Sequence, residues 1–287
     1  MQSNIKRTIT KIFYKYFTKH IWNFNYYRLR LGSLLPIEIY KLNAVKNNIC
    51  GNCNNVDVFT KIFYLSGNDD HLGNFYICKI CHIIYDASNE TYSSDAYDIQ
   101  TQWKEADVLY SLPTTANWDT EIESNRETYQ FLENKLNLSF FGTLLEIGAG
   151  SGMRAAAGEP YFEKIMVYDH VNVRLKQLKE SRQIDKIEVL NSSQLVDARA
   201  DFVFLWHVLE HLVRPGNTIH FCSKLLNRGG YLIFQIPLLH KPWIEPKHYY
   251  FHNEESIKYS ATIAELTVVD FIYDHRNSFL TTVLKKR

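Results

Sequence analysis

The chain has 287 residues, of which 46% are hydrophobic; that is enough for one sizeable domain with a substantial core and a smaller unit beside it. A formal net charge of +1 excludes a strong global attraction to nucleic acid or membrane. Five cysteines, four of them in two C-x-x-C pairs, do not make a secreted disulfide framework and point to a reducing, cytoplasmic compartment.

The charge is unevenly placed. Residues 1–49 carry nine Lys/Arg and one acid, Glu38, whereas residues 50–100 carry two Lys and seven acids. The first predicted element is an amphipathic helix over residues 4–24. Ile5, Ile9, Ile12, Phe13, Tyr16, Phe17, Ile21 and Phe24 recur at helical spacing beside Lys11, Lys15 and Lys19. Such a helix lies on an anionic membrane face, or packs on the protein's own body or a partner. No run of about 18 apolar residues predicts a membrane span.

Next comes Cys50-Gly51-Asn52-Cys53, then 24 residues, then Cys78-Lys79-Ile80-Cys81. Each pair can fold as a knuckle that aims two thiolates at one ion. Together Cys50, Cys53, Cys78 and Cys81 make a closed tetrahedral set suited to structural Zn2+, with no open position for catalysis. The stretch between the pairs reads as a hairpin of two β-rich runs around a polar loop. Residues 91–141 read as a loop-rich connector containing a helix over 121–136. The expected organisation is a basic arm at 1–48, a zinc-binding segment at 49–100 and a larger domain at 101–287.

From residue 142 strands and helices alternate. Strands are expected at 143–147, 164–168, 186–190, 202–206 and 231–236, and two closing strands at 266–273 and 279–284. Helices are clearest at 171–181 and 216–227. This alternation implies a parallel sheet with helices on both faces. The first strand runs into Gly148-x-Gly150-x-Gly152, inside LLEIGAGSG, and Asp169 closes the next strand 17 residues after Gly152. Glycines there let the backbone turn sharply and approach a ligand, and a carboxylate in the position of Asp169 can accept both hydrogen bonds of a ribose diol. The spacing is G-x-G-x-G, not the G-x-G-x-x-G of dinucleotide sites.

LLEIGAGSG, MVYD, DFVFLWHVLEHL and LLNRGGYLIFQIPL occur in one order over residues 142–237. In that order and spacing the chain resembles class I S-adenosylmethionine-dependent methyltransferases, from about residue 120 to 287. The resemblance implies an α/β, doubly wound Rossmann-like sheet of seven strands, here following a small zinc-binding β segment and a basic amphipathic helix. It implies S-adenosylmethionine as cofactor. The methionine end would sit at Glu146, Gly148 and Gly150, the ribose diol on Asp169 and the adenine at Asn191 or Ser192. Ala149, Gly152 and Trp206 complete the expected cofactor set. Gly158 and Pro160 predict that the helix after the glycine loop is short or bent.

Trp206-His207-Val208-Leu209-Glu210-His211 contains H-x-x-E-H, a helical zinc signature of one class of peptidases. Its place after the strand DFVFLW, with Pro215-Gly216 soon behind it, argues against a long helix and so against a peptidase. On the implied fold it forms the acceptor-side edge of the cofactor pocket. Three roles stay open there. His211 or Glu210 is a general base for the acceptor, or His207, Glu210 and His211 hold a divalent ion, or the pair braces a helix. His248 or His252, in KHYYFHNEE, is an alternative base, and Asn253 reads as a helix cap with Ser256 in the first turn.

The four-cysteine segment ahead of this fold resembles sugar and glycan methyltransferases. The C-terminal region of the C-methylating sugar enzymes is absent after the seventh strand, which favours O-methylation. The expected acceptor is a small molecule or a saccharide: a glycan, glycolipid or nucleotide-sugar. The alternatives are an RNA methyltransferase and a non-catalytic binding module. The acidic cysteine segment argues against nucleic acid, and the basic arm allows peripheral membrane contact.

Overall fold

The structure, a computed structural model, describes residues 34–35, 49–55, 59–64, 75–86, 115–169, 173–239, 243–244 and 248–287. The amphipathic helix expected at 4–24, the hairpin loop between 64 and 75 and most of the connector lie outside the described residues. No helix among them is long and apolar enough to cross a membrane.

Twelve strands are described: β1 (Leu34–Leu35), β2 (Phe59–Tyr64), β3 (Phe75–Cys78), β4 (Ile84–Asp86), β5 (Thr143–Ile147), β6 (Lys164–Tyr168), β7 (Ile187–Val189), β8 (Ala200–Trp206), β9 (Leu226–Pro237), β10 (Tyr250–Phe251), β11 (Leu266–Tyr273) and β12 (Phe279–Lys286). The helices are α1 (Thr115–Leu136), α2 (Met153–Ala157), α3 (Val173–Arg182), α4 (Ser192–Asp197), α5 (Pro215–Leu225) and α6 (Glu254–Ile263). Seven strands form the central sheet in the order β11-β12-β9-β8-β5-β6-β7. β5 pairs in parallel with β6 and β8, and β9 with β8, while β12 runs antiparallel between β9 and β11.

Period-two side-chain alternation divides the core between the two faces of this sheet. Leu145, Val203, Leu205, Leu232 and Phe234 pack with Ile219, Cys222 and Leu225 of α5 and Ile257 and Ala261 of α6. Leu144, Phe202, Phe204 and Ile233 pack on the other face with Tyr129 and Leu132 of α1, Ala155–Ala157 of α2 and Leu175 and Leu178 of α3. Near-continuous apolar strands are what a sheet buried on both faces requires.

The expected boundaries hold to the residue for β5, β6 and β11. Two differ more. α1 starts at Thr115, six residues before the expected start, and β9 starts at Leu226 rather than Tyr231. Gly229-Gly230 does not break β9. Gly229 sits at φ +77 and the β8–β9 register shifts between Ala200 and Phe202, so the pair is absorbed as an irregularity in the ladder. α2 has only five residues and ends at Gly158, as Gly158 and Pro160 suggest.

The cysteine unit is built into the larger domain. β1, β2, β3, β4 and β10 form a second sheet, and its last strand comes from the chain after β9. β10 pairs antiparallel with β4, Tyr250 opposite Tyr85 and Phe251 opposite Ile84.

Candidate functional site

The site forms where β5, β6, β8 and β9 end together, at the carboxyl edge of the sheet, where open α/β sheets bind ligands. β5 runs into Gly148, Gly150 and Gly152, with φ of +74, +55 and +80, a left-handed path that favours glycine. The loop curls over the end of β6: Gly148 and Ala149 donate their N–H groups to the Tyr168 carbonyl at 2.8 and 3.3 Å. Gly150 N–H donates to Asp169 Oδ2 at 2.8 Å. The carboxylate expected to hold a ribose is thus fixed against the glycine loop. A Cβ on Gly150 would meet open space, so a ligand can approach the backbone there.

Behind the loop stands Glu146, 2% exposed. Burial pushes its carboxyl up to about 7, against the pull of Arg154. Arg154 Nε lies 3.6 Å from Glu146 Oε1, and the guanidinium carbon lies 3.8 Å from the centroid of the Trp206 ring. Glu146 Oε2 and Arg154 Nη1 have no hydrogen-bond partner within the protein. Arg154 was not singled out from the sequence. The signal for it was faint: one charged side chain in the short helix MRAAA, whose other four residues are buried.

Asn191 and Ser192 lie at the end of β7. The Asn191 side chain caps α4, accepting from Ser193 N–H and Gln194 N–H at 3.0 Å each. Ser192 Oγ lies 3.2 Å from Tyr168 Oη.

The second half of the candidate site begins where β8 ends at Trp206. His207 has φ +56, an uncommon conformation for a residue other than glycine, and donates its N–H to the Gln235 carbonyl at 3.0 Å. Leu209–His211 then form a single 3-10 turn. His207 and His211 therefore do not share the face of an α-helix, and the arrangement that a helical H-x-x-E-H peptidase needs is not formed. Val208 packs on the glycine loop so closely that a Cβ on Gly148 would lie 2.5 Å from Val208 Cγ2.

Glu210 is 1% exposed. Around it stand His207, with Nδ1 3.4 Å from Oε1, and His211 and His248, whose ring centroids are 4.8 Å apart. Ligand-capable atoms of Glu210, His211 and His248 all lie within 4.8 Å of one another. His252 is also buried, and burial pushes its imidazole down to about 4 although Glu210 pulls it up. The mouth is aromatic: Phe279 lies 4.9 Å from the His207 ring and 4.7 Å from Trp243. Trp243 and Phe279 carry no local sequence signal, because the segment after β9 and the start of β12 bring them together only in the fold.

The four knuckle cysteines converge. Cys50 Sγ is 3.5 Å from Cys81 Sγ, and Cys53 Sγ is 3.7 Å from Cys78 Sγ. A tetrahedral ion with metal–sulfur bonds of about 2.3 Å sets its sulfurs roughly 3.8 Å apart, so the spacing fits such an ion. Cys81 N–H points at Cys78 Sγ, 3.5 Å away, as in a knuckle. Cys222 is separate, buried in α5, where burial pushes its thiol up to about 12; it is no nucleophile at neutral pH.

The cysteine segment is tied to the 3-10 turn at Leu209–His211 and to α6 by hydrogen bonds. Tyr249 N–H donates to the Glu210 carbonyl at 2.9 Å, and Asp86 N–H to the Tyr249 carbonyl at 3.0 Å. Asn253 Nδ2 donates to the His82 carbonyl at 2.6 Å, while Asn253 Oδ1 caps α6 by accepting from Ser256 N–H. Ser260 Oγ donates to Asn52 Oδ1 at 2.9 Å.

Comparison with known proteins bears on this arrangement. Residues 119–269 match the family described as "Methyltransferase domain". No curated protein matches the chain. Among solved structures, N-methyltransferase NodS from Bradyrhizobium japonicum, in complex with S-adenosyl-L-homocysteine, is 19% identical with a TM-score of 0.49, covering 64% of this chain and 97% of that one. A S-adenosylmethionine-dependent methyltransferase from Clostridium acetobutylicum is 13% identical with a TM-score of 0.48, covering 66% and 99%. The [4+2]-cyclase SpnF is 12% identical with a TM-score of 0.48, covering 56% and 80%.

Proposed function

Since the chain belongs to the methyltransferase domain family, which spans residues 119–269, we propose that it transfers a methyl group from S-adenosylmethionine to a hydroxyl of a small-molecule or saccharide acceptor. The observation that carries this reading is the contact between Gly148 of the glycine loop and Val208, which sets the cofactor side directly against the histidine–carboxylate cluster.

The cofactor supplies an electrophilic methyl on a sulfonium. The residues of the chain bind and align it. Glu146 Oε2 lacks a donor and Arg154 Nη1 lacks an acceptor, and an amino-acid zwitterion offers one of each. Asp169 and the open face of Gly150 suit a ribose. Trp206 lies under the Arg154 guanidinium and walls this end. In-line transfer mainly needs alignment and exclusion of water, and a hydroxyl acceptor must also lose its proton. The cluster of His207, Glu210, His211 and His248 is placed to receive the acceptor oxygen and handle that proton. Trp243 and Phe279 offer ring faces to the apolar side of a sugar.

Four thiols at tetrahedral spacing, with no open position, support a structural Zn2+ at Cys50, Cys53, Cys78 and Cys81. The acidic composition of residues 50–100 disfavours a phosphate backbone as partner. The basic arm at 1–48 suits an acceptor presented at an anionic membrane surface, and cysteines without a disulfide framework suit a reducing cytoplasm. The test is methyl transfer from labelled cofactor into fractionated cell extracts, comparing the protein with its Asp169→Ala variant. Label in a carbohydrate or small-molecule fraction, absent with the variant, is expected. Label only in RNA would overturn the acceptor class.

A further inference from the structure

Glu210 poses a chemical problem. Both of its carboxylate oxygens are buried and neither has a hydrogen-bond partner. His207 Nδ1 stands 3.4 Å from one oxygen without making a hydrogen bond to it. Buried carboxylates are ordinarily hydrogen-bonded, paired or bound to metal, because an unsatisfied one is costly.

Two imidazoles complete a set around it. The atoms of Glu210, His211 and His248 that can bind an ion lie within 4.8 Å of one another. His248 Nδ1 lies 2.7 Å from the Trp243 carbonyl oxygen. A carbonyl only accepts, so Nδ1 carries the proton and the lone pair is on Nε2. A backbone carbonyl behind the distal ring nitrogen is the usual support of a metal-binding histidine. The two segments are also tied to each other, Tyr249 N–H donating to the Glu210 carbonyl, and β10 anchors the second one to β4. The ligands are thus held on rigid backbone.

We propose that Glu210, His211 and His248 form a second metal site, distinct from the four cysteines, for a divalent transition ion of the Zn2+, Mn2+, Fe2+ or Co2+ class. Two imidazole nitrogens and one carboxylate disfavour Mg2+ and Ca2+, which take oxygen ligands. Three protein ligands leave positions open, whereas the cysteine site is closed. The open positions would take the acceptor's hydroxyl oxygens. That last clause rests on the methyl-transfer reading; the metal site does not.

The experiment uses the full chain with its cysteine-bound ion retained. Mn2+ is titrated in, free Mn2+ is followed by electron paramagnetic resonance, and total metals are counted by mass spectrometry. One Mn2+ per chain is expected beyond the cysteine-held ion. Glu210→Gln and His248→Gln should each weaken it by at least the roughly 10–100-fold that loss of a supporting group costs, with the cysteine-held ion and S-adenosylmethionine affinity retained as checks on folding. Should either variant lose those, His211→Gln, at a half-buried position, gives the same readout. No second ion at millimolar free Mn2+, or equal Mn2+ affinity in a folded variant, overturns the site. A protein that holds the second ion yet binds no S-adenosylmethionine overturns the methyl-transfer reading and leaves the metal site standing.

Discussion

Glu146 and His252 are both buried ionisable groups, shifted so that each is more neutral than usual. Glu146 is raised by burial from 4.5 to about 7. Its contribution to folding is complete below 4.5 and is lost as pH rises through 7. His252 is lowered by burial to about 4, so its contribution is present above 6.5 and is lost as pH falls through 4. Between pH 6.5 and 8 Glu146 dominates, and His252 opposes it only at the lower end, where the unfolded imidazole is still partly protonated. The cofactor-free protein should therefore lose on the order of 1 kcal/mol of stability over that window, read as a falling melting temperature. If the cofactor ammonium sits on Glu146, binding holds the carboxylate charged. Binding should then release a proton near pH 6, seen as a buffer-dependent calorimetric enthalpy. Glu146→Gln should abolish that release and weaken affinity about tenfold to a hundredfold, the worth of a charge-assisted hydrogen bond. Proton release that persists in the variant would sink the assignment. At this scale the glycines and Asp169 were legible because a motif names them. Arg154 was not, because its importance comes from the Glu146 and Trp206 side chains it meets across the sheet.

At the scale of elements, the cysteine knuckles and the acceptor-side turn behave as one unit. β10 is shared between the small sheet and the segment carrying His248, and Asn52 and His82 bond to α6 and its cap. Removing the Zn2+ proposed at the four cysteines should raise amide exchange over 248–256 and 207–213 and abolish the proposed methyl transfer. S-adenosylmethionine affinity should change by less than about threefold, because Glu146, the glycine loop and Asp169 lie on and just after β5 and β6, outside both segments. Loss of cofactor binding in parallel would show that the units are not separable. Gly216 tests the same interlock from the other side. A Cβ there would lie 2.0 Å from the Asn52 carbonyl oxygen, so Gly216→Ala should cost about 1–3 kcal/mol by overpacking, measured by chemical denaturation. A variant as stable as the parent would show that the knuckle gives way freely. The C-x-x-C pairs were plain in the sequence. Their junction with 208–216 and 248–260 was not, because it joins residues some 200 apart. The same limit applies to His207–His211: H-x-x-E-H is compatible with an α-helix, and only the left-handed turn at His207 and the 3-10 turn after it show otherwise.

For the whole molecule, strand order and cofactor loop follow from alternation and from one glycine motif, and both are readable because the strands are short, apolar and separated by clear helices. β5 and β6 came out to the residue, whereas Gly229-Gly230 misled the start of β9 because a ladder irregularity accommodates what looks like a breaker. The acceptor cluster was legible as residue types but not as geometry. His248 joins Glu210 and His211 only through the fold, and His207 stands beside the same carboxylate, 3.4 Å from Glu210 Oε1. The central claim is that this edge of the sheet binds S-adenosylmethionine and uses it. Isothermal titration of the full chain with S-adenosylmethionine, repeated on Asp169→Ala, tests it most directly. One site per chain is expected, weakened at least about tenfold in the variant, as loss of a charge-assisted hydrogen bond requires, while the variant stays folded and its melting temperature falls only slightly from loss of the Gly150 N–H to Asp169 bond. No heat of binding at millimolar cofactor, or equal affinity in the variant, would contradict it.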